Sequence, residues 1–193
     1  MTRTSFTLLT LLILILLPLA IDPVLAEEIK YKRTVENYTI PDVTLVNQNG
    51  ARVKLKDLIT SSKPVVLDFI YGTCTTICPV LSAGYTSLQR KLGEKSTNVH
   101  LISITIDPEH DTPKVMKEYL KRYQARPGWD FLTGSRSDID KVMRAFDSYI
   151  PNKMYHYPVN LIRDPKDGTW VRILGLTSTS EFMNEYKKAG GII

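Results

Sequence analysis

Two cysteines, Cys74 and Cys78, are the residues of this 193-residue chain best suited to chemistry, and the sequence contains no others. They directly follow residues 64–70, a short apolar run rich in β-branched residues that is typical of a buried strand. In α/β sheets, binding sites gather at the carboxyl ends of strands. If a helix begins near Cys74, the i, i+4 spacing places both Cβ atoms on one face, roughly 5–6 Å apart. Such a pair can form a disulfide or bind one metal ion through two thiolates.

The position of the cysteine pair also favours thiolate chemistry. Unpaired amides and the dipole at a helix N-terminus lower the pKa of nearby thiols, and Pro79 is compatible with a first helical turn. The alternative is a disulfide with a purely structural role. A loop this short closes little chain entropy, so that bond would stabilise the fold only slightly. The sequence therefore predicts a redox-active or metal-binding pair.

Three histidines and one aspartate are further candidates for a site. His156 lies in a loop before a late strand, and a lone histidine in a loop is by itself more often not a metal ligand than a ligand. His100 is expected to pack in the sheet. His110 is expected to be solvated in an acidic, proline-flanked loop, and the alternative is that it contacts an arriving partner. Asp107 follows the second buried strand and is either a turn or capping residue or a group that contacts the site.

The elements that position these residues predict an α/β domain. Residues 64–70 and 99–106 read as buried strands joined by a helix, and this βαβ unit implies parallel strands. Asn49-Gly50 between two alternating runs predicts an N-terminal β-hairpin. The remaining predicted elements are a helix from Pro113, a strand at 129–132, a helix at 137–146, an antiparallel strand pair at 159–162 and 170–174, and a helix opened by a capping box at 178–181. This order is that of a thioredoxin-like fold, a mixed sheet flanked by helices.

The N-terminus has the features of a secretory signal. Arg3 precedes the apolar run 8–17, and small or apolar residues at 24–26 provide a cleavage site. The alternative is an uncleaved anchor, but even when extended to Ile21 the apolar segment is about 14 residues long, short of the ~20 that span a bilayer. The predicted regions are a signal at 1–26, a polar leader at 27–38 and one soluble domain at 39–193.

The net charge of +5 arises from basic residues scattered among acidic ones, with no basic tract that contains interleaved aromatic residues. Nucleic-acid binding is therefore not indicated. The sequence also lacks paired catalytic carboxylates, a serine triad and a glycine-rich phosphate loop. These absences leave the cysteine pair as the centre of the chemistry.

Residues 69–79, Phe-Ile-Tyr-Gly-Thr-Cys-Thr-Thr-Ile-Cys-Pro, resemble the signature of the Sco/SenC family, copper proteins of cytochrome oxidase assembly. Residues 103–113, which contain Asp-Pro-Glu-His-Asp-Thr-Pro, are similar to a second segment of that family. The resemblance runs from about Pro41 to the C-terminus. The family uses one distant histidine, and His156 occupies the matching position, eight residues before Asp164. Tyr155 stands where the family usually has Asp.

The resemblance implies a site for Cu(I) or Cu(II) with Cys74, Cys78 and His156 as ligands, and with Asp107 close to it. It implies two kinds of partner, the apo subunit of a copper enzyme such as cytochrome oxidase and other copper chaperones. The expected location is the bacterial periplasm or the outer face of the cytoplasmic membrane, and the expected state is a monomer or weak dimer. The first hypothesis is a copper chaperone. The alternatives are a thiol-disulfide oxidoreductase that reduces target cysteines before metal insertion and, third, a redox or peroxide sensor.

Overall fold

A computed structural model of the protein describes residues 31–192, which form one eight-stranded sheet flanked by helices. The strands are β1 (Tyr31–Glu36), β2 (Thr44–Asn47), β3 (Arg52–Lys54), β4 (Val65–Ile70), β5 (His100–Thr105), β6 (Trp129–Thr133), β7 (Val159–Arg163) and β8 (Trp170–Gly175). The helices are α1 (Leu55–Ile59), α2 (Cys78–Leu92), α3 (Pro113–Arg122), α4 (Arg136–Ala145) and α5 (Thr179–Lys188). The strand order across the sheet is β1-β8-β7-β4-β5-β6-β2-β3.

The sheet is mixed, as predicted, and β4 lies near its middle. β4 is parallel to β5 and antiparallel to β7, and all six of its residues are buried. A strand buried on both faces carries a continuous apolar run, which is why it could be recognised in the sequence. The predicted hairpin is confirmed as the antiparallel pair β2–β3, and the late antiparallel pair is β7–β8.

Strand β1 lies inside the segment predicted to be a polar leader. It pairs with β8 along its whole length at the edge of the sheet. Only one face of an edge strand needs apolar residues, and charged side chains on such a strand protect it from further pairing. Because Lys32 and Arg33 are charged, this segment has the composition of a polar leader, and the strand was not predicted from the sequence.

Helix α2 begins at Cys78, so the condition under which an i, i+4 spacing of the two cysteines was considered, a helix that begins near Cys74, is not met. The amides of Val80 and Leu81 donate to the carbonyl of Ile77, which is the N-cap residue. Cys74 instead lies in a turn in which its amide donates to the carbonyl of Tyr71. The two cysteines therefore belong to different local structures. Between residues 31 and 192, no helix has the length and apolar character needed to cross a membrane. The predicted signal at residues 1–26 lies outside the described residues.

Candidate metal centre

Cys74, Cys78 and His156 converge at the carboxyl end of β4. The two Sγ atoms and an imidazole nitrogen all lie within 4.8 Å of one another. Cys74 comes from the turn after β4, Cys78 from the first turn of α2, and His156 from the loop before β7. Among residues 31–192, no other group of three histidine, cysteine or acidic side chains is arranged to bind a metal ion. The structure thus brings together the three residues selected from the sequence.

The two thiols are buried and differ in acidity. They are not joined by a disulfide in the structure. Burial alone would raise the pKa of Cys74, but hydrogen bonds from the Cys78 side chain and from the backbone of Thr76 and Cys78 lower that pKa to about 7. Burial and the hydrogen bond to Cys74 raise the pKa of Cys78. The predicted thiolate character therefore applies to Cys74, whereas Cys78 holds its proton and donates it towards Cys74.

The imidazole of His156 is available as a neutral ligand. Its Nδ1 atom lies 3.8 Å from Sγ of Cys78, and the ring of Tyr71 packs edge-on against it with centroids 6.2 Å apart. Burial lowers the pKa of His156 to about 4, so the ring is uncharged at neutral pH and one nitrogen keeps its lone pair. The Nε2 atom is also buried, without a hydrogen-bond partner. Two sulfur donors and one neutral imidazole form a donor set that suits copper.

Asp107 contacts the loop that carries His156 and lies outside the group of three donors. Its carboxylate pairs with Lys153 at one oxygen and with His110 Nδ1 at the other, 2.9 Å away. Burial alone would raise the pKa of Asp107, but the hydrogen bonds from Lys153 and His110 lower it. Asp107 therefore remains ionised and holds Lys153, three residues before His156.

Asp111 positions the cysteine turn, a role that sequence reasoning missed. It is buried, and its two oxygens accept hydrogen bonds from the amide of Gly72, each at 3.1 Å, while Thr105 donates to one of them. A Cβ atom at Gly72 would lie 2.7 Å from Asp111 Oδ1, so only glycine allows this approach. The sequence assigned residues 111–113 to a helix start, and Thr112 is indeed the N-cap of α3.

Arg172 was also missed, and it holds the segment that leads into the His156 loop. Its guanidinium donates to the carbonyls of Phe146 at 2.7 Å and Asp147 at 2.9 Å. The hydroxyl of Tyr157 donates to the same Asp147 carbonyl at 3.1 Å. The loop is therefore attached at its base through Arg172 and Tyr157, and at its middle through Lys153.

The other two histidines lie outside the group of three. His100 begins β5, at the end of the sheet away from the cysteines, and its Nε2 atom lies 2.9 Å from Asp130. The side chain of His110 is 68% exposed and pairs with Asp107. His100 thus lies in the sheet and His110 is exposed, as expected.

Comparison with known proteins identifies relatives over most of the chain. The sequence profile of the SCO1/SenC family matches residues 32–183. The SCO1 protein homolog of Bacillus subtilis is 38% identical over 117 residues, which are 59% of this chain and 60% of that relative, so the match spans about three-fifths of the relative's length.

Two solved structures share the fold. BsSco, a member of the Sco family of cytochrome c oxidase assembly proteins in which a disulfide switch was identified, superposes with a TM-score of 0.66 at 31% identity, over 81% of this chain and 95% of that one. ScoI of Bradyrhizobium japonicum, solved with copper bound, gives a TM-score of 0.62 at 28% identity, over 78% of this chain and 99% of that one. The predicted thioredoxin-like fold is thereby confirmed.

Proposed function

The chain belongs to the SCO1/SenC family, and on this basis we propose that it binds copper through Cys74, Cys78 and His156 and serves assembly of a copper enzyme such as cytochrome oxidase. The observation that carries this proposal is the approach of two sulfurs and one imidazole nitrogen to within 4.8 Å of one another. Relatives with this fold include one solved with copper bound and one described as a cytochrome c oxidase assembly protein.

The donor set explains how the protein would hold copper as cargo. Two sulfurs are soft ligands that suit Cu(I), and the imidazole adds a ligand that also suits Cu(II). Three protein ligands leave the coordination sphere incomplete, so a ligand from a target protein can enter before a ligand of this chain leaves. We place this transfer outside the cytoplasm, in agreement with the signal predicted at residues 1–26.

Copper titration of the reduced protein tests the proposal. We expect about one copper ion per chain, because the three donors form one site. Cys74→Ser and Cys78→Ser should each lose most of the copper affinity, while His100→Gln, which changes a histidine at the end of the sheet away from the cysteines, should bind as the wild type does. Oxidation that links Cys74 to Cys78 should abolish Cu(I) binding, because a disulfide leaves no thiolate. Tight Cu(I) binding by either cysteine variant or by the oxidised protein would place the site elsewhere.

A second candidate function is thiol-disulfide exchange, and the unequal acidity of the two thiols favours it. Cys74, with its pKa lowered to about 7, can attack a target disulfide as a thiolate. Cys78 would then lose its proton to solvent and displace the target cysteine from the mixed disulfide. Two electrons pass from the Cys74–Cys78 dithiol to the target, which is released as a dithiol.

His156→Ala separates the two functions. Copper binding needs the imidazole, particularly for Cu(II), whereas exchange needs only the two sulfurs. The copper proposal expects a folded His156→Ala variant to lose Cu(II) binding and to fail to restore oxidase activity in cells that lack the native protein. A variant that restores full activity, while both cysteine variants fail, would favour the reductase.

A further inference from the structure

Tyr71 is a buried tyrosine that is held next to Cys74 by the backbone. It directly follows β4, and its accessible fraction is 8%. Its carbonyl accepts a hydrogen bond from the Cys74 amide at 3.1 Å, so the two residues are the first and fourth of one tight turn. The Cα atoms of such a pair lie within about 7 Å of each other. The turn therefore fixes Tyr71 beside one of the two cysteines.

The hydroxyl of Tyr71 donates a hydrogen bond to the Cys74 side chain. Burial, the negative charge of the Cys74 thiolate and this hydrogen bond raise the pKa of Tyr71 to about 12. The hydroxyl therefore keeps its proton at neutral pH and acts as a donor. Because the surroundings are buried and of low dielectric, this hydrogen bond is electrostatically stronger than it would be in water.

The ring of Tyr71 contacts the His156 side of the metal centre. It meets the His156 ring edge-on, with centroids 6.2 Å apart, and the Lys153 ammonium lies 5.4 Å from its centroid. Lys153 is itself paired with Asp107. The ring makes these contacts without the hydroxyl, so the packing of Tyr71 and the hydrogen bond to Cys74 can be separated by substitution.

We propose that Tyr71 is a positioning residue whose hydroxyl, by its hydrogen bond to Cys74, makes the metal centre favour Cu(I) over Cu(II). The proposal rests on the function proposed above and names a residue that determines which oxidation state of the cargo is held. A hydrogen bond to a cysteine sulfur draws electron density away from the metal, and a sulfur that donates less density stabilises Cu(II) less. The Tyr71 hydroxyl therefore raises the reduction potential of bound copper without being a ligand.

Tyr71→Phe tests the proposal, because phenylalanine keeps the ring and removes only the hydroxyl. Competition titrations of the reduced full chain give its affinity for Cu(I) against bathocuproine disulfonate and for Cu(II) against glycine. We expect the ratio of the Cu(I) affinity to the Cu(II) affinity to fall about tenfold, which lowers the potential of a one-electron couple by about 59 mV. The sulfur-to-Cu(II) charge-transfer band should move to lower energy, while the stoichiometry stays unchanged.

Tyr186→Phe is the matched control. Tyr186 is a buried tyrosine of α5 that lines a cavity with Pro64 and Pro165, at the end of the sheet away from the cysteines. The control variant should have the affinity ratio and the absorption band of the wild type. Tyr71→Leu, which removes the ring as well as the hydroxyl, should shift the ratio at least as far as Tyr71→Phe does.

Each other outcome contradicts the inference. If Tyr71→Phe keeps the wild-type ratio and band while Tyr71→Leu changes them, Tyr71 acts only by packing against His156, and the proposed function stands. If the ratio rises in Tyr71→Phe, the hydroxyl does not favour Cu(I). If Tyr186→Phe shifts the ratio equally, the effect is not local to the metal centre. If the wild type binds neither copper ion, both the inference and the proposed function are wrong.

Discussion

At the scale of single residues, Asp68 is an acidic side chain placed inside the sheet. It lies in the middle of β4, fully buried, and neither carboxylate oxygen has a hydrogen-bond partner. Its neighbours across the sheet are Ser103 and Asn160, and the titratable side chains that influence or respond to it are Tyr85, Tyr119 and Cys78. Burial raises the pKa of Asp68 to about 8. The carboxyl therefore remains protonated at neutral pH, beneath the cysteine site.

This raised pKa predicts a pH-dependent loss of stability. The unfolded chain releases the Asp68 proton near 3.8, while the folded chain keeps it until about pH 8. Between these values the folded state binds more protons, so stability falls as pH rises, by up to about 1.4 kcal/mol per pH unit. Asp68→Asn has no carboxyl group to titrate and therefore removes this pH dependence of stability. We expect the substitution to raise the free energy of unfolding at pH 8 by several kcal/mol and to change it little near pH 4.

Denaturant unfolding at pH 4, 6 and 8 measures this effect. Asp57→Asn, at an exposed carboxylate on α1, is the control and should follow the wild-type profile. If the free energy of unfolding of Asp68→Asn depends on pH as that of the wild type does, Asp68 is ionised in the folded state.

At the scale of elements, the loop between α4 and β7 determines where His156 lies. Arg172 on β8 holds its base through two backbone carbonyls and also donates to the Ser148 hydroxyl at 3.3 Å. A lysine at this position has one ammonium and no planar fork, so it cannot reach all these acceptors. We expect Arg172→Lys to lower the free energy of unfolding by about 1–3 kcal/mol, since buried acceptors lose their donors.

The same variant should change the Cu(II) site, because His156 is less firmly held. We expect a shifted Cu(II) absorption band together with unchanged Cu(I) stoichiometry. Amide hydrogen exchange should become faster in residues 146–158. Arg90→Lys, which loses one exposed contact to Gln124, is the control for a simple arginine effect. If Arg172→Lys has the same Cu(II) spectrum as the wild type, Arg172 stabilises the fold but does not position His156.

These contacts also explain what the sequence could and could not predict. The βαβ unit and the strand pairs follow from local apolar runs and turn residues, and the ligand histidine was selected only through a family resemblance. The hydrogen bond between Gly72 and Asp111 joins residues 39 apart, and that between Asp147 and Arg172 joins residues 25 apart. Contacts of this kind leave no periodic pattern in one sequence, so the residues that position the site were visible only in the structure.

At the scale of the whole molecule, β1 belongs to the sheet and is fastened to α5. Glu185 on α5 is buried and accepts hydrogen bonds from Arg33 at 2.6 Å and Tyr31 at 3.2 Å, while Lys188 lies 3.0 Å away. Burial alone would raise the pKa of Glu185, but the hydrogen bonds from Lys188 and Arg33 lower it. The stability that Glu185 contributes is therefore present above its unfolded pKa near 4.5 and is lost as pH falls through the lower folded value.

This arrangement predicts that a chain beginning at residue 39, the predicted start of the domain, is incomplete. Removing β1 exposes the edge of β8 along its full pairing length and removes Arg33 and Tyr31, which donate hydrogen bonds to Glu185. Hydrogen bonds to a charged group contribute about 1.5–3 kcal/mol each, and an uncovered strand edge promotes aggregation. We expect the 39–193 fragment to unfold at a lower denaturant concentration than the 27–193 fragment and to form larger species in size-exclusion chromatography.

Glu185→Gln in the 27–193 fragment separates the effect of the Glu185 charge from that of the strand pairing. The variant keeps the pairing of β1 with β8 and should therefore lose stability without aggregating. Equal unfolding midpoints for the two fragments would show that β1 lies against a domain that is complete without it.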